Sequence, residues 1–243
     1  IKLAIESKLQ SVGTSIFSVM SALATAKGAI NLSQGFPDFP MDPSLLALVN
    51  EAMQKGHNQY APAPGLLSLR TQIADLVQVC YDATVDPESE VTVTSGGTEA
   101  LFCAIAATVR EGDEVIVFEP CYDSYVPVIE LFGGVPIYVA LDFPDYKINW
   151  EGVKKRVNSR TKMIILNTPH NPTGTTLSAD DFQELAKIVQ GNRIFILSDE
   201  VYEHIIFDGE QHQSILRHPL LSKRSFVVSS FGKTFHATGW KVG

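Results

Sequence analysis

The chain has 243 residues, 45% of them hydrophobic and 19% charged, with 17 Gly and 13 Pro: enough apolar material for a sizeable core, and too little compositional bias for a disordered, fibrous or low-complexity chain. With 19 Lys and Arg against 27 Asp and Glu the net charge is −8, and there is no basic cluster to track a phosphate backbone. Nucleic acid and anionic membrane are therefore excluded as fitting partners.

The longest nearly continuous apolar stretch, residues 100–109, falls far short of the roughly 18 residues of a membrane span. Cys80, Cys103 and Cys121 are too few and too scattered for a disulfide framework, and no Cys or His pair has the spacing of a zinc site. The expectation is a soluble, cytoplasmic protein without a metal. Because Ile1 opens the sequence and its last strong motif runs to Gly243, the chain reads as part of a longer protein.

In chain order, Asp42-Pro43 opens a predicted helix over residues 44–55, and Pro64-Gly65 precedes another over 66–81. Residues 31–40 and 56–65 read as loops. From about residue 90, short β-branched runs alternate with segments of helical period. Strands are predicted at 91–94, 114–118, 136–141, 163–166, 194–197 and 226–229, and helices at 99–110, 122–132, 150–157 and 178–190. Apolar runs without polar alternation, separated by helices, mark strands buried on both faces of a mainly parallel sheet. The class is α/β, and ligands in such a sheet bind beyond the carboxyl ends of the strands.

Those ends carry distinctive residues. After 91–94 comes Ser95-Gly96-Gly97-Thr98-Glu99-Ala100, a turn that suits either an anion at a helix N-terminus or simply tight packing. It has neither a G-x-G-x-x-G pattern nor a Walker lysine, which disfavours a dinucleotide or nucleoside triphosphate. Glu119-Pro120-Cys121-Tyr122 places an aromatic at a predicted helix start, as a ligand contact or a core residue. The loop from Asn167 to Gly174 is stiffened by prolines around Asn171, which suits an aimed side chain as well as a plain turn.

Ser198-Asp199-Glu200-Val201-Tyr202 puts two carboxylates and a phenol past a buried strand; Asp199 reads either as a helix N-cap or as an anion kept for a cationic ring nitrogen. Lys233, in a turn after the last apolar run and among aromatics, is either a solvated surface lysine or a desolvated amine able to form an imine.

Taken together, Asn31 to Pro37, Asn58-Gln59-Tyr60, Ser95 to Ala100, Asn167 to Gly174, Ser198 to Tyr202 and Ser230 to Gly243 resemble the fold-type-I pyridoxal-phosphate aminotransferases over essentially the whole chain. The stretch from Gly232 to Gly243 is most similar to the kynurenine, glutamine and methionine aminotransferase group. Gly232, where many relatives have Ser or Thr, and Lys241, where many have Arg, both fit that group.

The resemblance implies a three-layer sandwich around a mainly parallel sheet. Residues 1–40 would be part of a small domain left incomplete here, and 41–243 would be the large domain. It implies pyridoxal 5′-phosphate as cofactor, with Lys233 as imine-forming tether and base, Asp199 on the pyridine nitrogen, Asn171 and Tyr202 on the ring hydroxyl oxygen, and Tyr122 stacked on the ring. Gly97, Thr98, Ser230 and Lys241 would hold the phosphate. Tyr60 would reach the phosphate of a neighbouring subunit, so a homodimer is implied, and Gly35 and Asn171 would meet the substrate.

The implied reaction moves an amino group from an aromatic, kynurenine-like or sulfur-containing amino acid to a 2-oxo acid by a ping-pong cycle. A carbon–sulfur β-lyase, a non-catalytic ligand-binding fragment and a nucleotide-binding domain using Gly96-Gly97 are the competing readings. The family carries its substrate-carboxylate arginine in a later segment, and no residue here takes that role.

Overall fold

The structure is a computed structural model and describes residues 6–9, 12–35, 37 and 39–243. Phe36, within the motif from Asn31 to Pro37, lies outside the described residues, as does part of the 1–40 segment. In chain order the helices are α1 (Ile16–Lys27), α2 (Pro43–Gln54), α3 (Leu67–Tyr81), α4 (Gly96–Thr108), α5 (Tyr125–Leu131), α6 (Trp150–Arg156), α7 (Ala179–Val189), α8 (Pro219–Ser222) and α9 (Phe231–Thr234). The strands are β1 (Glu114–Glu119), β2 (Val135–Ala140), β3 (Thr161–Asn167), β4 (Phe195–Asp199) and β5 (Ser225–Val228).

Local chemistry places these elements. Asp42 caps α2 through the Ser44 N–H with Pro43 in the first turn, and Ser178 with Asp181 forms a reciprocal capping box on α7. Helix α1 is an addition to the sequence reading; it ends where Gly28 adopts φ +59.

Every strand pairing is parallel, in the order β2-β1-β3-β4-β5. Alternation along the strands splits the interior into two clusters. Ile116, Phe118, Ile164, Leu166 and Ile196 face Val153 of α6 and Phe182 and Leu185 of α7. Val115, Val117, Met163, Ile165 and Leu197 face Leu101 and Ile105 of α4 and Tyr125 and Ile129 of α5. Helices on both faces of the sheet make the expected three-layer α/β arrangement.

Two expectations are corrected. Burial on both faces holds for β1, β3 and β4, but β2 and β5 are edge strands with partly exposed faces. Residues 91–94 do not join the sheet: Thr94 exchanges both backbone bonds with Gly243 (2.8 and 3.1 Å), and Val93 donates to Pro64. A groove of about 230 Å³ has Val91 and Thr92 of that segment, Val227 and Val228 of β5, and Gly243 among its lining residues. Apolar content made residues 91–94 look like a strand, but strand identity requires a neighbouring ladder that local sequence does not encode.

Candidate active site

The carboxyl ends of β3 and β4 are tied together. Asn167, the last residue of β3, donates through Nδ2 to the Asp199 carbonyl at 3.0 Å and accepts the Asn171 N–H at 2.7 Å. Thr168 N–H reaches the same carbonyl at 3.0 Å. One side chain thus holds the Asn171 loop against the end of β4, which is what brings two motifs distant in sequence to one place. His170 in that loop contacts the Thr173 hydroxyl at 2.8 Å, and burial lowers its proton affinity.

Asp199 ends β4 at 3% exposure. The Tyr125 hydroxyl donates to its Oδ2 at 2.6 Å and the Val201 N–H reaches its Oδ1 at 3.3 Å. Burial raises its pKa to about 6; the bonds from Tyr125 and Val201 oppose that rise, and the Glu200 charge adds to it. No helix follows Asp199, so the N-cap reading does not hold. Burial, together with Asp199, also pushes the Tyr125 phenol well above its ordinary range.

The candidate anion seat lies at the start of α4. Ser95 offers no side-chain cap to that helix. The Lys241 ammonium lies 3.6 Å from where a Cβ on Gly96 would stand. Lys241 has φ +56, a left-handed conformation that aims its side chain back over the helix start. Gly97 is buried, and a Cβ there would meet Val201 at 3.2 Å and Val228 at 3.4 Å. The Gly96 N–H is taken by the Thr94 carbonyl and the Ser95 N–H by the Glu99 carboxylate, so it is the helix dipole and the Lys241 ammonium that suit a phosphate here. Thr98 is exposed beside them, and Ser230 is half-buried at the end of β5, just before α9.

Lys233 lies in the last turn of α9, and its Nζ stands over the Tyr202 ring, 5.4 Å from the centroid. The side chain is exposed, which corrects the expectation of a desolvated amine: the aromatics cover one side of it without enclosing it. Tyr202 is raised above its ordinary pKa by burial first, then by Asp199 and Tyr122. Tyr122 is half-buried, three residues before α5 begins, with its ring edge-on to Tyr125 at 5.6 Å.

The fold therefore gathers Asp199, Asn171, Tyr202, Lys233 and Tyr122 around the ends of β3 and β4, with Gly97, Lys241 and Ser230 at the α4 end. Two predicted residues make no contact that ties them to this group: Tyr60 is fully exposed, and an added Cβ on Gly35 meets nothing within 4 Å. Tyr125 and Asn167 are side chains of the candidate site that were not singled out from the sequence. For Tyr125 no local signal existed, because an aromatic in an apolar helix reads as core; for Asn167 the clue was its place in the proline-rich loop motif.

A pyridoxal phosphate fits these residues by the chemistry of the donor set: a buried acid for a ring nitrogen, a phenol and an amide for a ring oxygen, an amine for a carbonyl and a helix start with an ammonium for a phosphate. Among the described residues no cluster of His, Cys, Asp or Glu is arranged to hold a metal, and no helix is long and apolar enough to cross a membrane.

Fold and candidate site together describe an α/β protein with an ammonium beside one helix start and an amine on the segment after a buried acid at the strand ends. The family model for aminotransferase class I and II matches residues 27–243. Methionine aminotransferase of Escherichia coli (strain K12) is 50% identical over 238 residues, covering 98% of this chain and 62% of that protein. Kynurenine–oxoglutarate transaminase of Dictyostelium discoideum is 38% identical, covering 96% of this chain and 58% of its own length. Among solved structures, N-succinyldiaminopimelate aminotransferase from Mycobacterium tuberculosis superposes with a TM-score of 0.94 at 40% identity, over 99% of this chain and 63% of that one. The chain belongs to the class I and II aminotransferase family, and it spans about three-fifths of the length of these relatives.

Proposed function

We propose that this protein is a pyridoxal 5′-phosphate-dependent aminotransferase that moves an α-amino group from an amino acid to a 2-oxo acid in a ping-pong cycle, with aromatic, kynurenine-like or sulfur-containing donors. The observation that carries it is the placing of the Lys233 amine over Tyr202, on the segment that follows buried Asp199. When bound, the cofactor supplies the aldehyde that takes up the amino group and a protonated ring that accepts electrons from the substrate Cα.

The chain's own residues supply the rest. Lys233 Nζ tethers the cofactor and, once freed, carries the proton away from the substrate Cα. Asp199 holds the proton on the ring nitrogen. Asn171 and Tyr202 orient the ring through its hydroxyl oxygen, Tyr122 covers its face, and the start of α4 with Ser230 and Lys241 retains the phosphate. Gly35 lies toward the substrate in this reading.

A homodimer belongs to the same proposal, with Tyr60 completing the phosphate seat of a second copy. Full exposure of Tyr60, and helices α1 and α2 that bury none of their residues, support it. A boundary near residue 40 and a cytoplasmic location are part of this reading. The relatives carry aminotransferase names, which favours transfer over β-elimination.

The test is borohydride reduction of the cofactor-loaded protein followed by peptide mapping. The expected result is a pyridoxyl group on Lys233, lost in Lys233→Ala, together with 2-oxo acid formation that requires an amino acceptor. A label elsewhere, or product formed without an acceptor, overturns the reading.

A further inference from the structure

The strand end that presents Asp199 carries a second acid on its opposite face. Along β4, Leu197, Asp199 and Val201 turn toward the α4–α5 side, whereas Ile196, Ser198 and Glu200 turn toward the α6–α7 side. Glu200 is completely buried (0%). Its Oε1 accepts the Ser198 hydroxyl at 2.7 Å and the Ile215 N–H at 3.0 Å, and its Oε2 lies 2.8 Å from His212 Nε2. Because a carboxylate only accepts, Nε2 is the donor, and the buried Nδ1 of His212 is left without a partner.

Other contacts extend the cluster. The His212 ring meets Tyr81 of α3 edge-on at 5.9 Å, and the Tyr81 hydroxyl donates to Glu203. The Glu200 N–H bonds the Val228 carbonyl at 2.8 Å, tying the same residue to β5. Glu200 is thus anchored to its own strand, to β5 and to the 212–215 segment, with Asp199 before it and Tyr202 two residues after it.

Stability alone does not account for an acid at this position. Replacing a buried ionic group by an apolar one of similar volume is often neutral or stabilising, since desolvation offsets the attraction. What the acid supplies is direction: three donors from fixed backbone and side-chain positions define one geometry for the turn they hold.

We propose that Glu200, held by His212, is a positioning residue that fixes the turn carrying Asp199 and Tyr202 for cofactor binding. This rests on the pyridoxal phosphate reading of the site. The Glu200 charge also opposes ionisation of Asp199, so the clamp reaches the site both through the backbone and through the field.

The experiment compares wild type, Glu200→Leu and Glu200→Gln by pyridoxal phosphate titration, by the pH dependence of the bound cofactor's absorbance, and by melting temperature without cofactor. Glu200→Leu is expected to weaken binding by about tenfold and move the pH midpoint, whereas Glu200→Gln, which keeps the Oε1 acceptor, stays within about threefold of wild type. If Glu200→Leu does not fold, Ser198→Ala and His212→Asn each remove one tie, and each is expected to weaken binding about threefold.

Binding and pH midpoint equal to wild type in Glu200→Leu, or in both single-tie variants, overturns the inference even where the melting temperature falls. A wild-type protein that takes up no pyridoxal phosphate overturns the proposed function, and the clamp with it. Wild-type uptake at Lys233 separates the two failures.

Discussion

The Tyr125 hydroxyl donates to Asp199 Oδ2 at 2.6 Å across 74 residues of sequence, with both groups buried. This bond opposes the rise in Asp199 pKa that burial causes, as does the Val201 N–H on the other carboxylate oxygen.

Tyr125→Phe removes that opposition and nothing from the apolar packing of the ring. A hydrogen bond to a charged group is worth about 1.5–3 kcal/mol, so the Asp199 pKa should rise above about 6 by roughly one to two pH units. The expected outcome is an acid limb in cofactor binding displaced upward by that amount, measured by titration with pyridoxal phosphate between about pH 5 and pH 9.

Asp199 also sets a pH dependence of stability in the absence of cofactor. Its pKa is raised on folding from 3.8 to about 6, so the folded state binds the proton more tightly; the resulting stability is full below pH 3.8 and is lost as pH rises through about 6. At 1.36 kcal/mol per unit the loss is at most about 3 kcal/mol. Asp199→Asn has no such proton to lose. Urea unfolding should show the variant gaining about 1–3 kcal/mol on wild type between about pH 4 and pH 8, while its cofactor affinity collapses.

Asn167→Ala cuts both ties between the Asn171 loop and the end of β4, leaving the Asn171 N–H without its acceptor. Destabilisation of about 1–3 kcal/mol is expected, with weaker cofactor binding from a loop no longer held in place. Faster amide exchange at Asn171 would localise the effect; unchanged exchange would refute it.

Lys241→Ala leaves the α4 start without its ammonium. Charge-assisted contacts to phosphate being worth about 1.5–3 kcal/mol, affinity should fall by roughly ten- to a hundredfold. The loss should be larger for pyridoxal phosphate than for pyridoxal, which lacks the phosphate, and competing inorganic phosphate should affect the variant less than wild type.

The sequence alone determined the α/β class, six strand-like runs of which five form the sheet, and the positions of Asp199, Asn171, Tyr202 and Lys233 just beyond apolar runs, because apolar periodicity and turn residues act over a few positions and are readable locally, whereas Lys241 was marked only by the family resemblance. Only the tertiary structure decided that Thr94 pairs with Gly243 and residues 91–94 stay outside the sheet, that Lys233 is exposed, that Tyr125 and Asn167 bond the Asp199 side chain and carbonyl, and that Glu200 is buried among three donors. Those facts depend on which strands lie side by side and which helix covers which face. A hydrogen bond between residues 74 apart is created by the packing of the sheet and leaves no trace in the local pattern of either segment.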